Sequence, residues 1–370
     1  MAFASISDLA PLVNTPTFAA AVQQEIKEKS KFIRAGIAVS DPLIASKCTN
    51  MTGLTVELPF WNALGGSTVL DEEVMEEGES PAIDGIDMGK DIAVKTIRIK
   101  AWGANDLAGI LSAADPLAVI KSSIAEWKIR ASERKLFSTL DGVFGLDAMG
   151  VLTLDLTKAA SEDDQFLNKH TFGRAAQLLG ERKGTLDTIV CHSEVEQYLQ
   201  EIDTDTKLYV PSQAGATLAS YNGRQIVTDD TCKIDQTKTT GKVVTPASDG
   251  QAAVYAQAND VAEIYMFGKG AIAYNDCPSA DLVPFEAGRD ILNSRNFVVT
   301  RSADIMHLRG IKWTGTSYAS AKYPNDYAVT SLRNKQPQTP RNSDLATSGN
   351  WSLVYPKEYI RAVKIIARIG

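Results

Sequence analysis

Apolar residues recur at helical spacing in two stretches of the chain. Over Thr17–Phe32 they form one face of a predicted helix, and Gly36 interrupts the pattern soon afterwards. A second and much longer helix is predicted from Asp115-Pro116 to Phe144, because Asp is a good N-cap and Pro is favoured at the first helical position. The apolar stripe of this helix begins with Leu117, Ile120, Ile124, Trp127 and Ala131. We expect Trp127 to be buried against the body of the subunit, so that Trp127→Ala costs about 3–5 kcal/mol.

Between these helices, two stretches have the alternation of strands. Thr55–Phe60 places apolar side chains on one side, and Pro59 favours the edge of a sheet. Asp91–Trp102 is the second predicted strand. About thirty residues with little core-forming power separate the two strands, which is far more than a hairpin needs. We call the whole segment 51–102 the flap, and it is predicted to be a long, acidic, two-stranded projection.

The remainder of the chain is predicted to contain an α/β region followed by a β-rich one. Within 146–276, a helix is expected over Thr171–Arg182 and a buried strand over Leu186–Cys191. Ser193–Glu196 is a capping box that begins another helix. Further predicted strands are Gln225–Thr228, a pair at Ala252–Ala256 and Val261–Met266, several over residues 284–313, and Glu358–Ile369, whereas residues 231–250 and 333–350 are expected to be loops.

Composition and charge exclude several classes of protein. The 370 residues are 44% hydrophobic and 22% charged, which is typical of a globular chain that can bury a sizeable core. The net charge of −7 argues against binding nucleic acid by bulk electrostatics. The N-terminal residues include no basic region, so no secretory signal is predicted, and no apolar run is long enough to predict a membrane span. The four cysteines are far apart and form no Cys-x-x-Cys, so we expect a reduced, cytosolic protein with free buried thiols.

Three candidate chemical sites are each better explained without chemistry. Gly268–Ala273 has the spacing of a dinucleotide-binding loop, but the Tyr274–Pro278 sequence after it cannot form the required helix. Cys191 and His192 are adjacent on a predicted strand end, where neighbouring side chains point to opposite faces. The acidic run of the flap, residues 71–79, lacks the glycine-centred spacing of a calcium loop. We therefore predict no catalytic, cofactor-binding or metal-binding residues and no cofactor.

Four ordered stretches of the sequence resemble the major capsid (coat) proteins of tailed bacteriophages. The first runs from Lys95 to Ala108 and continues through Ser112–Ala118 into the long helix. The others are Val190–Ser193 with Ala219–Asp230, then Arg309–Gly315, and finally Asn342–Tyr355. The resemblance implies an α+β fold of the tailed-phage major capsid type, with an N-terminal arm, an extended β-hairpin loop, a long spine helix, an axial α/β domain and a β-rich peripheral domain.

This resemblance also implies a division of the chain. The arm would be 1–50, the extended loop 51–102, and the peripheral domain with its spine helix 103–145. The axial domain would be 146–276, and the β-rich part of the peripheral domain with the C-terminal strand would be 277–370. The arm is short compared with members that carry a scaffolding extension, so either a separate scaffolding protein is expected or the chain is the mature form.

The implied function is that of a structural major capsid protein rather than an enzyme. It would assemble with itself into hexamers and pentamers of an icosahedral head shell enclosing phage DNA, with portal and cement proteins as further partners. Contact with packaged DNA would be non-specific, no membrane would be involved, and assembly would occur in the host cytoplasm before the protein resides in the virion. The alternatives are an encapsulin-like compartment shell protein and a cytosolic α/β enzyme.

Charge is distributed unevenly, which suggests where copies meet. Residues 71–91 hold nine carboxylates and one lysine, a net charge of −8 that leaves about +1 for the rest of the chain. The resemblance places the flap over a neighbouring subunit, where basic residues of the long helix would oppose it. The predicted contact residues are Glu72, Glu73, Glu76 and Glu77 of the flap with Lys121, Lys128, Arg130 and Arg134 of the helix.

Overall fold

The computed structural model describes the chain in segments that include both predicted sheets and the long helix. They are residues 21–22, 24–26, 29–49, 54–61, 88–105, 116–161, 163–202, 220–235, 243–245, 254–255, 260–277, 283–290, 295–315 and 339–369. The α-helices are α1 (Lys31–Arg34), α2 (Pro42–Thr49), α3 (Pro116–Phe144), α4 (Thr171–Ala176), α5 (Ser193–Ile202) and α6 (Asn342–Leu345). Helices and mixed sheets together confirm the predicted α+β class.

Six strands form the first sheet, whose main path is β1-β12-β14-β3-β2, with β13 also paired to β14. Its long central pair, β3 and β14, is antiparallel from Lys95–Ile305 to Asn105–Arg295. β2 lies at the edge, as Pro59 predicts. The strands are β1 (Ala38–Val39), β2 (Thr55–Trp61), β3 (Met88–Asn105), β12 (Ile272–Asp276), β13 (Phe285–Asp290) and β14 (Arg295–Leu308).

Seven strands form the second sheet, in the order β4-β17-β11-β5-β7-β6, with β8 also paired to β11. They are β4 (Thr153–Asp155), β5 (Leu186–Cys191), β6 (Ser220–Tyr221), β7 (Arg224–Thr228), β8 (Ile234–Asp235), β11 (Asp260–Gly268) and β17 (Ala362–Ile369). The C-terminal strand β17 thus lies between β4 and β11. Two smaller pairs complete the strands: β9 (Val243–Thr245) with β10 (Val254–Tyr255), and β15 (Ile311–Trp313) with β16 (Trp351–Leu353).

The main hydrophobic core lies between the C-terminal half of α3 and the second sheet. Phe137 of α3 contacts Phe32 and Tyr265 with ring centroids 6.0 Å apart in each pair. A second cluster joins Val22 and Ile26 to Ile124, near the other end of α3. The predicted apolar face of the first helix is therefore buried at Val22, Ile26 and Phe32, and Phe18 is outside the described residues.

Local backbone chemistry explains where the helices differ from prediction. Ser30 has an extended backbone (φ −65°, ψ 119°), so α1 is separate from the helical residues before it. The predicted helix Thr171–Arg182 is α-helical only to Ala176 and continues as a 3₁₀ segment, within which Gly180 takes a positive φ of 60°. Residues 333–350 were expected to be a loop, yet α6 lies there and packs against α3.

Two further predictions are wrong. The strand pair Ala252–Ala256 and Val261–Met266 does not form, because Val254–Tyr255 pairs with Val243–Thr245 while β11 pairs with β17 and β5. The four cysteines are not all free, since Cys48 and Cys277 are joined by a disulfide. This pairing of residues 229 apart arises because α2 packs beside β12, which no sequence spacing reveals. Cys191 and Cys232 are free and buried, as predicted.

Candidate functional site

The long helix α3 supplies the basic residues predicted to meet a neighbouring copy. Its 29 residues span roughly 43 Å at 1.5 Å per residue. Leu136, Leu140 and Val143 are buried in the main core, so the opposite side of this half of the helix is free to carry charge. The sequence therefore fixes both the ends of this helix and the face that packs inward.

The structure separates the predicted basic residues of α3 into different environments. Arg130 and Arg134 are exposed, and Lys128 is half-buried. The backbone of Lys121 is helical, but its side chain is outside the described part of the molecule. Glu72, Glu73, Glu76 and Glu77 also lie outside the described residues. Among the predicted contact residues whose side chains are described, Arg130 and Arg134 are therefore the exposed ones.

Lys135, a further basic residue of α3, lies in the interior. Its Nζ donates to both carboxylate oxygens of Asp304 at 2.5 Å, and Thr96 Oγ1 donates to one of them at 2.8 Å. Burial alone would raise the pKa of Asp304, but the charge and hydrogen bond of Lys135 hold that pKa below its usual value. This pair joins α3 to β14 and is unavailable to a partner.

A cavity of about 210 Å³ lies between α3 and the first sheet. Arg98, Lys128 and Arg134 line it together with Asp276 and Trp127. Desolvation lowers the pKa of both Arg98 and Lys128, although Asp304 counteracts it in each case. The cavity is therefore a partly desolvated, predominantly basic depression beside the exposed face of the helix.

Trp127 borders this cavity and is half-buried rather than buried. Its ring meets that of Trp102 edge to face, with centroids 4.9 Å apart. The prediction that Trp127 lies on the inner stripe of a helix is correct, but the prediction of full burial is wrong, because the cavity leaves one side of the ring uncovered.

The root of the flap is an antiparallel pair of strands held by a buried polar contact. Asp91 of β3 accepts hydrogen bonds from His307 Nε2 at 2.8 Å and from the Gly310 amide at 2.9 Å. Gly310 has a φ of 91°, which favours glycine at this turn. Asp91 is one of the nine carboxylates of residues 71–91, but its side chain is buried and joins β3 to His307 and to the turn at Gly310. Alternation along β3 could have suggested its burial, but not its partners.

At the outer end of the described hairpin, two large apolar side chains are exposed. Trp61 and Met88 are opposite each other in the register of β2 and β3, with exposed fractions of 69% and 53%. Lys90, nearer the root, forms an exposed ion pair with Glu57 at 3.0 Å. These two adjacent exposed side chains are a candidate surface for contact with another protein.

Two of the candidate chemical sites, Gly268–Ala273 and Cys191–His192, lie within the described residues, and the acidic run 71–79 lies outside them. Gly268 ends β11 and is followed by a turn into β12, with no helix to receive a dinucleotide. Burial raises the pKa of the Cys191 thiol to about 12, which keeps it protonated and unreactive at neutral pH. Within the described segments, His, Cys, Asp and Glu side chains form no group able to hold a metal ion. None of the described helices combines the length and the apolarity needed to cross a bilayer.

Comparisons with known proteins give one match over the full chain. The chain is 29% identical to the major capsid protein of Bacillus phage SPP1 over 377 aligned residues, which cover 100% of this chain and 99% of that protein. A shorter stretch of 122 residues is 30% identical to a ribosomal protein L11 methyltransferase from Thermosipho africanus (strain TCF52B), covering 31% of this chain and 45% of that enzyme. No protein-family model matches the chain.

Among solved structures, the capsid of Ralstonia phage GP4 is similar with a TM-score of 0.46 and 10% identity, covering 76% of this chain and 87% of that one. The SPP1 match extends over every element described above, from the arm to β17. The partial enzyme match leaves more than two thirds of the chain unaccounted for. Over its full length the chain is similar to a phage major capsid protein, and it is a structural capsid shell protein rather than an enzyme.

Proposed function

We propose that this chain assembles as hexamers and pentamers into an icosahedral head shell that encloses phage genomic DNA. The observation that carries the proposal is the match to the SPP1 major capsid protein, which covers 100% of this chain and 99% of that protein. The exposed apolar pair Trp61 and Met88 adds physical support, because such surfaces are usually covered by a partner.

The proposed subunit retains the division into arm 1–50, flap 51–102, spine-helix segment 103–145, axial domain 146–276 and β-rich segment 277–370. The second sheet supports an axial body, since β4, β5, β6, β7, β8 and β11 all come from 146–276. Two strands cross the boundaries of this division. β17 of the last segment lies inside the second sheet, and β12 of the axial segment lies in the first.

We further propose that the flap holds a neighbouring copy by electrostatic attraction. The acidic residues Glu72, Glu73, Glu76 and Glu77 would meet Arg130 and Arg134 on the exposed side of α3, with Lys128 and Lys121 adding to the basic field. Each exposed pair contributes only about 0–1 kcal/mol. The same contact repeats at every subunit boundary of a closed shell, so the total is large enough to influence assembly.

The remaining partners follow from the same proposal. A separate scaffolding protein, a portal and cement proteins would bind the shell, and assembly would take place in the host cytoplasm. Packaged DNA would contact the inner surface through phosphates without base readout, since a net charge of −7 supplies no extended basic stripe.

Size-exclusion chromatography of the purified chain tests the proposal. A shell protein is expected to elute as megadalton particles or as hexamers and pentamers, whereas an ordinary enzyme forms a small closed oligomer. Elution only as a monomer, dimer or tetramer at high concentration would contradict the proposed assembly.

A further inference from the structure

Two of the four cysteines are placed to form a bond that ties the N-terminal region to the first sheet. Cys48 lies near the end of α2, and Cys277 directly follows β12. Their Cα atoms are 5.1 Å apart, within the range that a disulfide requires, and the structure contains the bond. Cys191 and Cys232 are equally buried but are not bonded, so the chain provides its own reference pair.

The surroundings of the bonded pair are apolar and enclosed. Cys48 and Cys277 are 2% and 0% exposed and pack in one cluster with Ile44, Val56 and Ile305. A thiolate is the species that attacks or exchanges with a disulfide, and burial among apolar side chains disfavours it. Bond formation and bond reduction are therefore both expected to be slow compared with those of an exposed pair.

Noncovalent contacts already hold the two elements together beside the bond. Asn275 Nδ2 donates to the Asp41 carbonyl at 2.7 Å, and Ser40 Oγ donates to Asn275 Oδ1 at 2.6 Å. Asp41 also pairs with Arg309 at 2.9 Å. Because these contacts position α2 against β12 without the sulfurs, the subunit can fold with both thiols reduced.

We propose that Cys48 and Cys277 form a redox-gated staple, reduced while the subunit folds and assembles and oxidised once particles leave the cell. This inference rests on the proposed function, because only a protein that passes from cytosol to medium meets both redox environments. Each thiol loses one proton and one electron as the S–S bond forms. The two electrons pass to dissolved dioxygen or, by thiol–disulfide exchange, to a small-molecule disulfide in the medium.

The consequence of the staple is a shell that becomes harder to unfold after release. The bond joins residues 229 apart and closes a loop that contains the flap, α3, three of the six strands of the first sheet and six of the seven strands of the second. A cross-link over so long a loop restricts the unfolded chain strongly. The N-terminal region then cannot separate from β12 without breaking a covalent bond.

Thiol counting on particles tests the proposal. Infected cells are lysed into N-ethylmaleimide and denaturant, which trap the intracellular thiols, and particles released into aerated medium are treated in the same way. The expected result is four labelled cysteines per chain inside cells, and two labelled cysteines with a linked Cys48–Cys277 peptide after release. Cys191 and Cys232 should be labelled in both samples and serve as the internal control.

Two results of the count would overturn the proposal. Four labelled cysteines in released particles would show that the staple never closes, and a linked peptide already present inside cells would show that it is not gated. Micrographs of the same preparations test the proposed function separately. Intact shells with the wrong thiol count contradict the staple alone, whereas the absence of shells contradicts the proposed function and the gating that rests on it.

Variants give a second reading that does not depend on labelling. Reductant is expected to lower the melting temperature of released wild-type particles by about 5 °C. Cys48→Ala particles should melt at the same temperature with and without reductant, while Cys232→Ala particles should keep the wild-type difference. An equal response of the wild type and Cys48→Ala to reductant would contradict the staple.

Discussion

Lys135 and Asp304 form a charged pair in the interior, where each charge is tolerated only because the other is present. Their contact joins α3 to β14, and Thr96 completes the hydrogen bonding of the carboxylate. The sequence showed Lys135 only as one of several basic residues on a helix, because its partner is 169 residues away. Long-range pairs of this kind have no local signal, and the Asp91–His307 contact, 216 residues apart, escaped prediction for the same reason.

We predict that Lys135→Met destabilises the subunit by about 3–5 kcal/mol, since it leaves the Asp304 carboxylate buried without its cation. The double variant Lys135→Met, Asp304→Leu should recover most of this loss, because no charge then remains in the interior. Urea unfolding of assembly-incompetent subunits provides the measurement. Arg134→Met, one position earlier but exposed, is the control and should change the free energy of unfolding by at most about 0.5 kcal/mol.

Because Trp127 is half-buried, we expect Trp127→Ala to lower the free energy of unfolding by less than a fully buried tryptophan would. A fully buried ring would be worth about 3–5 kcal/mol, but this ring is half-buried and retains mainly its edge-to-face contact with Trp102. We expect a loss of about 2 kcal/mol in the same unfolding experiment. A variant that unfolds like the wild type would show that the Trp102 contact is not formed.

At the scale of elements, Glu133 of α3 interacts electrostatically with Asp229, which follows β7, and this interaction depends on pH. Burial raises the pKa of Glu133 to about 7, and the nearby carboxylate of Asp229 adds to the rise, while Lys31 and Arg130 oppose it. Asp229 Oδ2 is itself buried without a hydrogen-bond partner among the described residues. The folded subunit therefore binds a proton more tightly at Glu133 than the unfolded chain does.

The sign of the effect follows from this raised pKa. Between the ordinary glutamate value of 4.5 and about 7, the folded state holds more protons, so Glu133 lowers stability as the pH rises through this window. Glu133→Gln is predicted to be more stable than the wild type at pH 8, and this difference should shrink as the pH falls and disappear below 4.5. Glu126→Gln, on an exposed part of the same helix, should keep the wild-type pH profile of the melting temperature. Parallel profiles for Glu133→Gln and the wild type would contradict the assignment.

Local patterns predicted most single elements but few of their pairings. The helix α3 begins at Pro116 and ends at Phe144, as its N-cap and apolar stripe indicate, and β5 matches the predicted Leu186–Cys191. Strand pairing depends on contacts distant in sequence, so the pattern could not place β17 beside β11 or reject the predicted pairing of Ala252–Ala256 with Val261–Met266. Of the predicted contact residues, the structure describes the side chains of Lys128, Arg130 and Arg134. The partial burial of Lys128 depends on the first sheet across the cavity, which the local pattern of α3 does not include.

At the scale of the whole molecule, the uneven distribution of charge along the chain provides a test of how copies attract each other. Reversal of Glu72, Glu73, Glu76 and Glu77 to Lys is predicted to leave subunits folded while blocking or weakening assembly. High salt should also weaken the wild-type contacts, because the Debye length falls to about 3 Å at 1 M. Circular dichroism checks the fold, and sedimentation measures the assembled fraction.

Reversal of four carboxylates elsewhere provides the control for that experiment, and the chain offers exposed Glu181 together with Glu194, Glu196 and Glu201 of α5. This control should assemble more completely than the flap variant. Normal shell yield from the flap variant, with no effect of salt on the wild type, would show that the acidic run is merely solvated.

The central claim is that this chain is the repeating unit of a closed shell. Electron microscopy of the purified protein, or of particles assembled with the scaffolding protein, tests it most directly. We predict hollow icosahedral particles whose surfaces resolve into hexamers and pentamers of this chain. Preparations that contain only small, discrete oligomers under conditions where the subunit is folded would contradict the account.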